Sequence, residues 1–297
     1  MKLADLGKRL LFVLWAAPLG WWAINSHFSL LPGTIATIYP GHVLAILLTV
    51  MACYEYFGML KIFYPFNGFW LGYVWLGLQF FLYFKNSPLP SNLGVYILLM
   101  LVAFETFIWG KRNLRRRWVR ASLMFSGTLF LYIAGISMLN LYREPFQSLF
   151  RTFPNPMLSQ LGIVIVLGSV FLCDTGAYFI GSVFGKHHFS TISPKKTIEG
   201  SIAGLISAVL VSSIGWFFLA NPVYPKWLGL MMGIVIGIFA QAGDLLVSLM
   251  KRYFRVKDAS DIIPGHGGIL DRFDSVFFTA PVLWLFSWLV SLIAGQF

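Results

Sequence analysis

Residues 227–250 read WLGLMMGIVIGIFAQAGDLLVSLM, a run in which Asp244 is the only charged side chain. About 20 predominantly apolar residues suffice for a helix to cross the hydrocarbon core of a bilayer. Inside that core every backbone N–H and C=O needs a partner within the chain, which a helix supplies by itself. The run is therefore read as a membrane-spanning helix that carries one acid. Eight further segments share its length and character, at 10–26, 42–60, 66–84, 93–110, 119–140, 158–184, 200–220 and 273–294. The expected fold is all-α, a polytopic integral membrane protein of about nine transmembrane helices. The first segment follows Lys2, Lys8 and Arg9 as a signal peptide would, but Trp15, Trp21 and Trp22 crowd its end and no A-x-A site follows, so it is read as a retained span.

Composition agrees with this reading. The 297 residues are 58% hydrophobic and only 11% charged, where soluble domains carry about 25% charge. Disorder and an ordinary soluble enzyme are poor fits. The net charge of +11 does not imply nucleic acid, because the basic residues are spread over short connectors and form no single stripe. They set orientation instead. With the N-terminus inside, 18 of the 22 Lys and Arg fall on cytoplasmic connectors, and only Lys85, Arg143, Arg151 and Lys226 fall on the other side, as the positive-inside rule requires. This places the N-terminus and the active-site loops in the cytoplasm, the C-terminus outside, and the protein in the cell (inner) membrane. Cys53 and Cys173 lie in apolar runs and give neither a disulfide framework nor metal spacing.

Two units are expected: residues 1–157, five helices with little beyond apolar bulk, and residues 158–297, four helices with cytoplasmic active-site loops. Seven of the eleven acids fall between 170 and 275. A charge at a helix centre in the membrane costs at least about 2.5 kcal/mol, so acids there face a cavity or a partner. For Glu55 and Glu105 an inter-helix hydrogen bond, or a protonated acid near the interface, is favoured over catalysis. The run KRNLRRRWVR at 111–120 reads as a topology anchor that attracts anionic headgroups.

Asp244 differs, because Ser248 and Lys251 follow it at four and seven residues and share its helical face. Beyond them KDASDIIPGHGGILDRFD, from Lys257 to Asp274, packs four acids, a histidine and three glycines around one proline. Pro264, Gly265, Gly267 and Gly268 make a tight backbone able to present N–H groups to an anion, with His266 at its centre. Asp271 and Asp274, at i and i+3, share a face of the last span. With Asp244 they can hold hard cations, since Mg2+ takes one or two carboxylates plus waters and phosphates. A second cluster contains Asp174 in CDTGAYFIG and the string GKHHFSTISPKKTIEG at 185–200. Ser193, Lys195, Lys196 and Thr197 give two cations and two hydroxyls before a span. Thr197 also suits a helix cap, whereas the paired lysines suit di- or triphosphate.

These residues resemble the phosphatidate cytidylyltransferases, or CDP-diacylglycerol synthases. That family's 27-residue pattern is met from Ser248 through Lys251, Arg252, Lys257, Asp258, Ser260, Pro264, His266, Gly267, Gly268, Asp271 and Arg272 to Asp274. The D-x-x-A-Y and S-P-K-K-T-x-E-G strings also look like the family's. Ser260 stands where many members have Gly. The resemblance covers about residues 160–290 and carries nothing onto the first five spans. It implies transfer of CMP from CTP to phosphatidate, with Mg2+ and a second cation of open identity. It implies catalytic roles for Asp244, Lys251, Lys257, Asp258, His266, Asp271 and Asp274, with Asp244, Asp271 and Asp274 as metal ligands and Asp174 as a further candidate. Phosphate binding then falls to Ser193, Lys195, Lys196, Thr197, Ser248, Arg252, Gly267, Gly268 and Arg272. The expected partners are CTP, phosphatidate and the bilayer, with no nucleic acid; a homodimer is left open. Two rivals are a CTP-dependent enzyme acting on an isoprenoid glycerophosphate or a polyprenol, and a transporter using its intramembrane acids.

Overall fold

The computed structural model describes residues 22, 40–64, 70–84, 94, 97–102, 114–143, 146–150, 160–188, 193, 196–263 and 267–294. Its helices are α1 (Pro40–Phe63), α2 (Trp70–Phe84), α3 (Leu114–Asn140), α4 (Leu161–Phe184), α5 (Ile198–Leu219), α6 (Leu228–Tyr253) and α7 (Leu270–Ile293), with a 3-10 turn at Gln147–Leu149. Among the described residues there is no strand, only three isolated bridges. All of these helices except α2 are long and apolar enough to cross a membrane, six in number among the described residues, and this makes the chain an integral membrane protein. Helix α2 has 15 residues, about 22 Å at the helical rise. The expected first span, and most of the expected fourth at 93–110, lie outside the described residues.

Large apolar side chains face outward along these helices, Val183 and Ile293 among them at 71% and 83% exposure. In water such surfaces would be a liability, whereas lipid covers them at no cost. Helix α3 begins at Leu114, five residues ahead of the expected start. Arginine is a good helix former, so Arg115, Arg116, Arg117 and Arg120 form its opening turns, where their long stems can run along the helix while the charges stay in the headgroup region.

Helices α4 to α7 pack in chain order, α4 on α5, α5 on α6 and α6 on α7, while α6 also meets α4. Helix α1 packs on α3, and both reach α7. One apolar core joins α1, α2 and α3 to Val247, Phe254, Ile269, Leu270 and Phe277. A second joins α4 and α5 to Met232, Ile236 and Ala240 of α6 and Val276, Ala280 and Leu283 of α7. Helices α6 and α7 thus belong to both, and α7 is the wall between them.

Within lipid, apolar surface gives helices no reason to associate, so close backbone approach through small residues does that work. The buried face of α5 is Gly200, Gly204, Ala208, Ser212 and Trp216, one residue per turn. A Cβ on Gly204 would stand 2.7 Å from the Cys173 carbonyl oxygen of α4. Gly204→Val therefore separates α4 from α5 and is expected to cost about 1–3 kcal/mol, read as a lower melting temperature in detergent. Gly58→Val, built at a position with nothing within 4 Å, is the matched control. Equal behaviour of the two variants would rule the close contact out as a source of stability.

Candidate active site

Helix α6 ends where the glycine-rich segment begins, and its end is ordered by backbone bonds. Arg255 N–H donates to the Arg252 carbonyl at 3.0 Å and Val256 N–H to the Lys251 carbonyl at 2.9 Å, with Arg255 at φ 54°. This is the Schellman arrangement, with an arginine at the left-handed position that glycine usually takes. The chain therefore turns sharply after Tyr253 and runs back toward α7.

Two carboxylates then hold the returning segment. Asp271, in the first turn of α7, accepts from Lys251 Nζ at 2.6 Å on Oδ1, and from the N–H groups of Ala259 (2.7 Å) and Gly268 (3.0 Å) on Oδ2. Its side chain and that of Lys251 are only 8% and 14% exposed. The other carboxylate comes from α1. Glu55, 1% exposed, accepts from Ser260 Oγ (2.6 Å) and the N–H of Ile269 (2.8 Å) on Oε1, and from the N–H of Leu270 (2.7 Å) on Oε2. The first N–H groups of a helix have no partner within it, and Glu55 supplies one to α7 from outside the helix. Gly268 makes this fit possible, because a Cβ there would run into the Glu55 carboxylate. Gly267, at φ 82°, takes a backbone conformation open to glycine without a Cβ clash, and its carbonyl receives Ile263 N–H at 2.9 Å.

Three more carboxylates gather from three helices: Asp174 of α4, Asp244 of α6 and Asp274 of α7. Ser275 Oγ lies 3.2 Å from Asp174 Oδ2 and 3.4 Å from Asp274 Oδ1, and Asp244 is near enough to act electrostatically on both acids. Lys196 closes the group, with Nζ 2.5 Å from Asp244 Oδ2. Ser248 Oγ stands 3.4 Å from Asp244 Oδ1, on the helical face expected from the sequence. Among the described residues no group of three or more His, Cys, Asp or Glu meets the spacing of a preformed metal cage.

The segment that delivers Lys196 is also ordered. Thr197 is the N-cap of α5, its hydroxyl oxygen accepting from Gly200 N–H at 3.2 Å, a bond that does not use its O–H as donor. Glu199 accepts from the N–H groups of Lys186 and His187 and stands 2.6 Å from His187 Nδ1. Ser193 accepts at its carbonyl from Lys196 N–H at 3.0 Å. Arg252, Lys257, Asp258 and Arg272 are exposed around this region. Lys195 and His266 lie outside the described residues. Glu105 does as well.

The sequence reading put Asp271 and Asp274 on one face, yet the structure engages them differently: Asp271 faces the loop and Lys251, and Asp274 faces Ser275. It left two participants out of the site. Glu55 was read as an inter-helix hydrogen bonder, which it is, but its partners are in the motif itself. Gln241, one turn before Asp244, donates to the Ser201 carbonyl at 3.0 Å and also meets the Ser201 hydroxyl, fixing α5 to α6 just below the acids. A lone acid or amide within an apolar run is the signal that marks such residues.

A family model described as the cytidylyltransferase family matches residues 21–290. Among curated proteins, a phosphatidate cytidylyltransferase of Staphylococcus haemolyticus is 51% identical over 115 residues, 38% of this chain and 44% of that protein. One of Synechocystis is 45% identical over 136 residues, 46% of this chain and 45% of that protein. The chain spans a little under half the length of these curated relatives.

Proposed function

We infer that this chain, which belongs to the cytidylyltransferase family, is an integral membrane phosphatidate cytidylyltransferase that joins CMP from CTP to phosphatidate and releases pyrophosphate. The observation that carries this reading is the meeting of Asp174, Asp244, Asp274 and Lys196 beside the segment ordered by Asp271. A phosphate oxygen of phosphatidate attacks the α-phosphorus of CTP, the bond from that phosphorus to the bridging oxygen breaks, and its electron pair leaves on pyrophosphate. Phosphate monoesters are already ionised near neutral pH, so no general base is needed at the attacking oxygen. The task of the site is to bring two polyanions together.

The donor type suits Mg2+, which needs no more than a pair of these acids. All three converging carboxylates offer hard oxygen donors from separate helices, and Mg2+ is normally held by one or two of these plus waters and substrate phosphates. Asp271 is held by Lys251 on one oxygen and by two loop N–H groups on the other, while Asp174, Asp244 and Asp274 come together around Ser275 and Lys196, so this reading places the cation on Asp244 and Asp274 with Asp174 beside them and leaves Asp271 to order the loop. A second cation would share these same acids as ligands, and its identity is open. Asp244 and Asp274 would hold the ion, and the chemistry it would supply is neutralisation of phosphate charge.

The chain does the rest. Lys196 reaches the acid group from the α4–α5 connector and so reaches a triphosphate at the same place. Arg252, Lys257 and Arg272, exposed near the mouth, draw in the soluble nucleotide, and Gly267 and Gly268 keep the backbone close. Lys195 and Ser193 are assigned to phosphate binding by sequence and His266 to the catalytic set, and Thr197, which caps α5, keeps an O–H to offer a phosphate. Lys196→Ala is expected to raise the KM for CTP about tenfold, the loss of one charged hydrogen bond, with the KM for phosphatidate changing less. Equal changes for both substrates would reassign the residue.

The proposed topology is nine spans with the N-terminus cytoplasmic and Phe297 outside, supported by the 18 to 4 division of basic residues. Cysteine placed at position 262 should label from the cytoplasmic face only, and labelling from the outer face overturns the arrangement. The function is tested with purified protein, CTP, phosphatidate and Mg2+. CDP-diacylglycerol and pyrophosphate in equal amounts are expected. Transfer to an isoprenoid glycerophosphate or polyprenol acceptor alone, or no transfer, overturns it.

A further inference from the structure

The side-chain amide of Gln241 stands where three helices meet. On α5 it takes hold of one residue with both of its ends: Nε2 donates to the Ser201 carbonyl at 3.0 Å, and Oε1 accepts from the Ser201 hydroxyl. On α4 it faces Cys173, with Nε2 3.7 Å from Sγ. Each contact lies beside a member of the acid group. Asp174 follows Cys173 directly, and Asp244 lies one turn beyond Gln241 on α6. Lys196 immediately precedes the cap residue Thr197, whose carbonyl receives the Ser201 N–H at 2.9 Å. Ser201 is thus joined to the start of α5 through a single helical turn.

The neighbouring contacts between α5 and α6 are apolar. A Cβ on Gly237 would meet Leu205 and Ala208, so small residues bring the two backbones close at that level. Closeness is not register: apolar surfaces tolerate rotation, whereas a hydrogen bond weakens steeply away from its preferred angle. Interhelical hydrogen bonds add little to the stability of membrane bundles. Two bonds from one amide to one residue are therefore better explained by the alignment they impose than by the strength they add.

We propose that Gln241 is a positioning residue for the nucleotide: by holding Ser201 it fixes the start of α5 against α6, and so keeps Lys196 aimed at the triphosphate beside Asp244. The proposal rests on the cytidylyltransferase reading for the identity of that ligand. Gln241 acts through Lys196. When the bonds to Ser201 are lost Lys196 keeps its charge, but its ammonium meets the phosphates from a spread of positions and the benefit of fixed geometry is diluted.

Gln241→Leu removes both bonds with little change in volume. In the full-length protein in lipid nanodiscs it is expected to raise the KM for CTP roughly threefold to tenfold, the range for ordinary hydrogen bonds, with the KM for phosphatidate unchanged. The decisive comparison is a double-mutant cycle. Once Lys196→Ala has removed the ammonium, Gln241→Leu should raise the KM for CTP by less than about twofold, because the two residues act as one unit. A residue that only holds the bundle together behaves otherwise: kcat falls with the number of folded molecules, equally in both backgrounds. Ser201→Ala deletes the hydroxyl and keeps the carbonyl; it should give a smaller rise with the same dependence on Lys196, and is read in place of Gln241→Leu if that variant does not fold. An unchanged KM for CTP, or the same fold-rise with and without Lys196, overturns the proposal.

A second readout needs no catalysis. Ile198 and Leu246 are exposed, and nitroxide labels on cysteines at those positions report the spacing of α5 and α6 with Lys196 and Asp244 in place, while Cys53 and Cys173 are buried. The label-to-label distance distribution should broaden or shift in Gln241→Leu, and an unchanged distribution overturns the proposal. Absence of CMP transfer by the unchanged protein overturns the activity assignment instead, and the label distances still decide whether Gln241 aligns the two helices.

Discussion

Asp244→Asn should lower CMP transfer by roughly 10²- to 10³-fold, the range seen when one preorganised electrostatic element of an active site is removed. The substitution conserves shape and removes the charge that faces Lys196 at 2.5 Å. The Asp244 side chain is one-third exposed and stands at the mouth between α4, α6 and α7, so the fold should survive. Initial rates at saturating Mg2+ and CTP, together with an unchanged melting temperature, are the measurement. A rate within about threefold of the unchanged protein would remove Asp244 from the cation site, because changes that small are typical of substitutions with no part in the chemistry.

The largest effect on stability is expected from Lys251→Met. Lys251 and Asp271 are mostly buried, and removing one partner of a buried pair costs about 3–5 kcal/mol because the other charge is left behind. Two N–H donors remain on Asp271 Oδ2, which places the expected loss at the lower end. Lys257→Met, at an exposed position six residues on, is the comparison. Thermal unfolding in one detergent should separate the two by several degrees, and coincident curves would mean that the pair contributes nothing.

The chemistry-bearing region was legible because its signals are local. Ser248 and Lys251 follow Asp244 at helical spacing, and the segment from Lys257 to Asp274 concentrates charge and glycine where packing alone has no use for them. The all-helical membrane fold was legible because apolar runs of span length have few other solutions. What was not legible depends on backbone groups. Glu55 binds two N–H groups more than two hundred residues away, and an N–H has no residue type to read. Spacing likewise could not separate Asp271 from Asp274: both lie on one face, but only Asp271 sits in the first helical turn, within reach of the loop amides and Lys251. Thr197 carried two readings, and the geometry of α5 shows the cap without using the O–H that the other reading needs.

The span between Glu55 and its partners also has a meaning in time. The chain is made from its N-terminus, and Ile269 follows Glu55 by 214 residues. At a synthesis rate of about 5–20 residues per second, that interval is on the order of 10–40 s. For nearly all of it α1 holds an acid whose native donors do not yet exist. During that interval Glu55 must meet water, a headgroup or a proton, until α7 is delivered beside α1. Helix α7 thus completes α1, and a chain arrested before Leu270 should leave a cysteine at position 55 open to aqueous label.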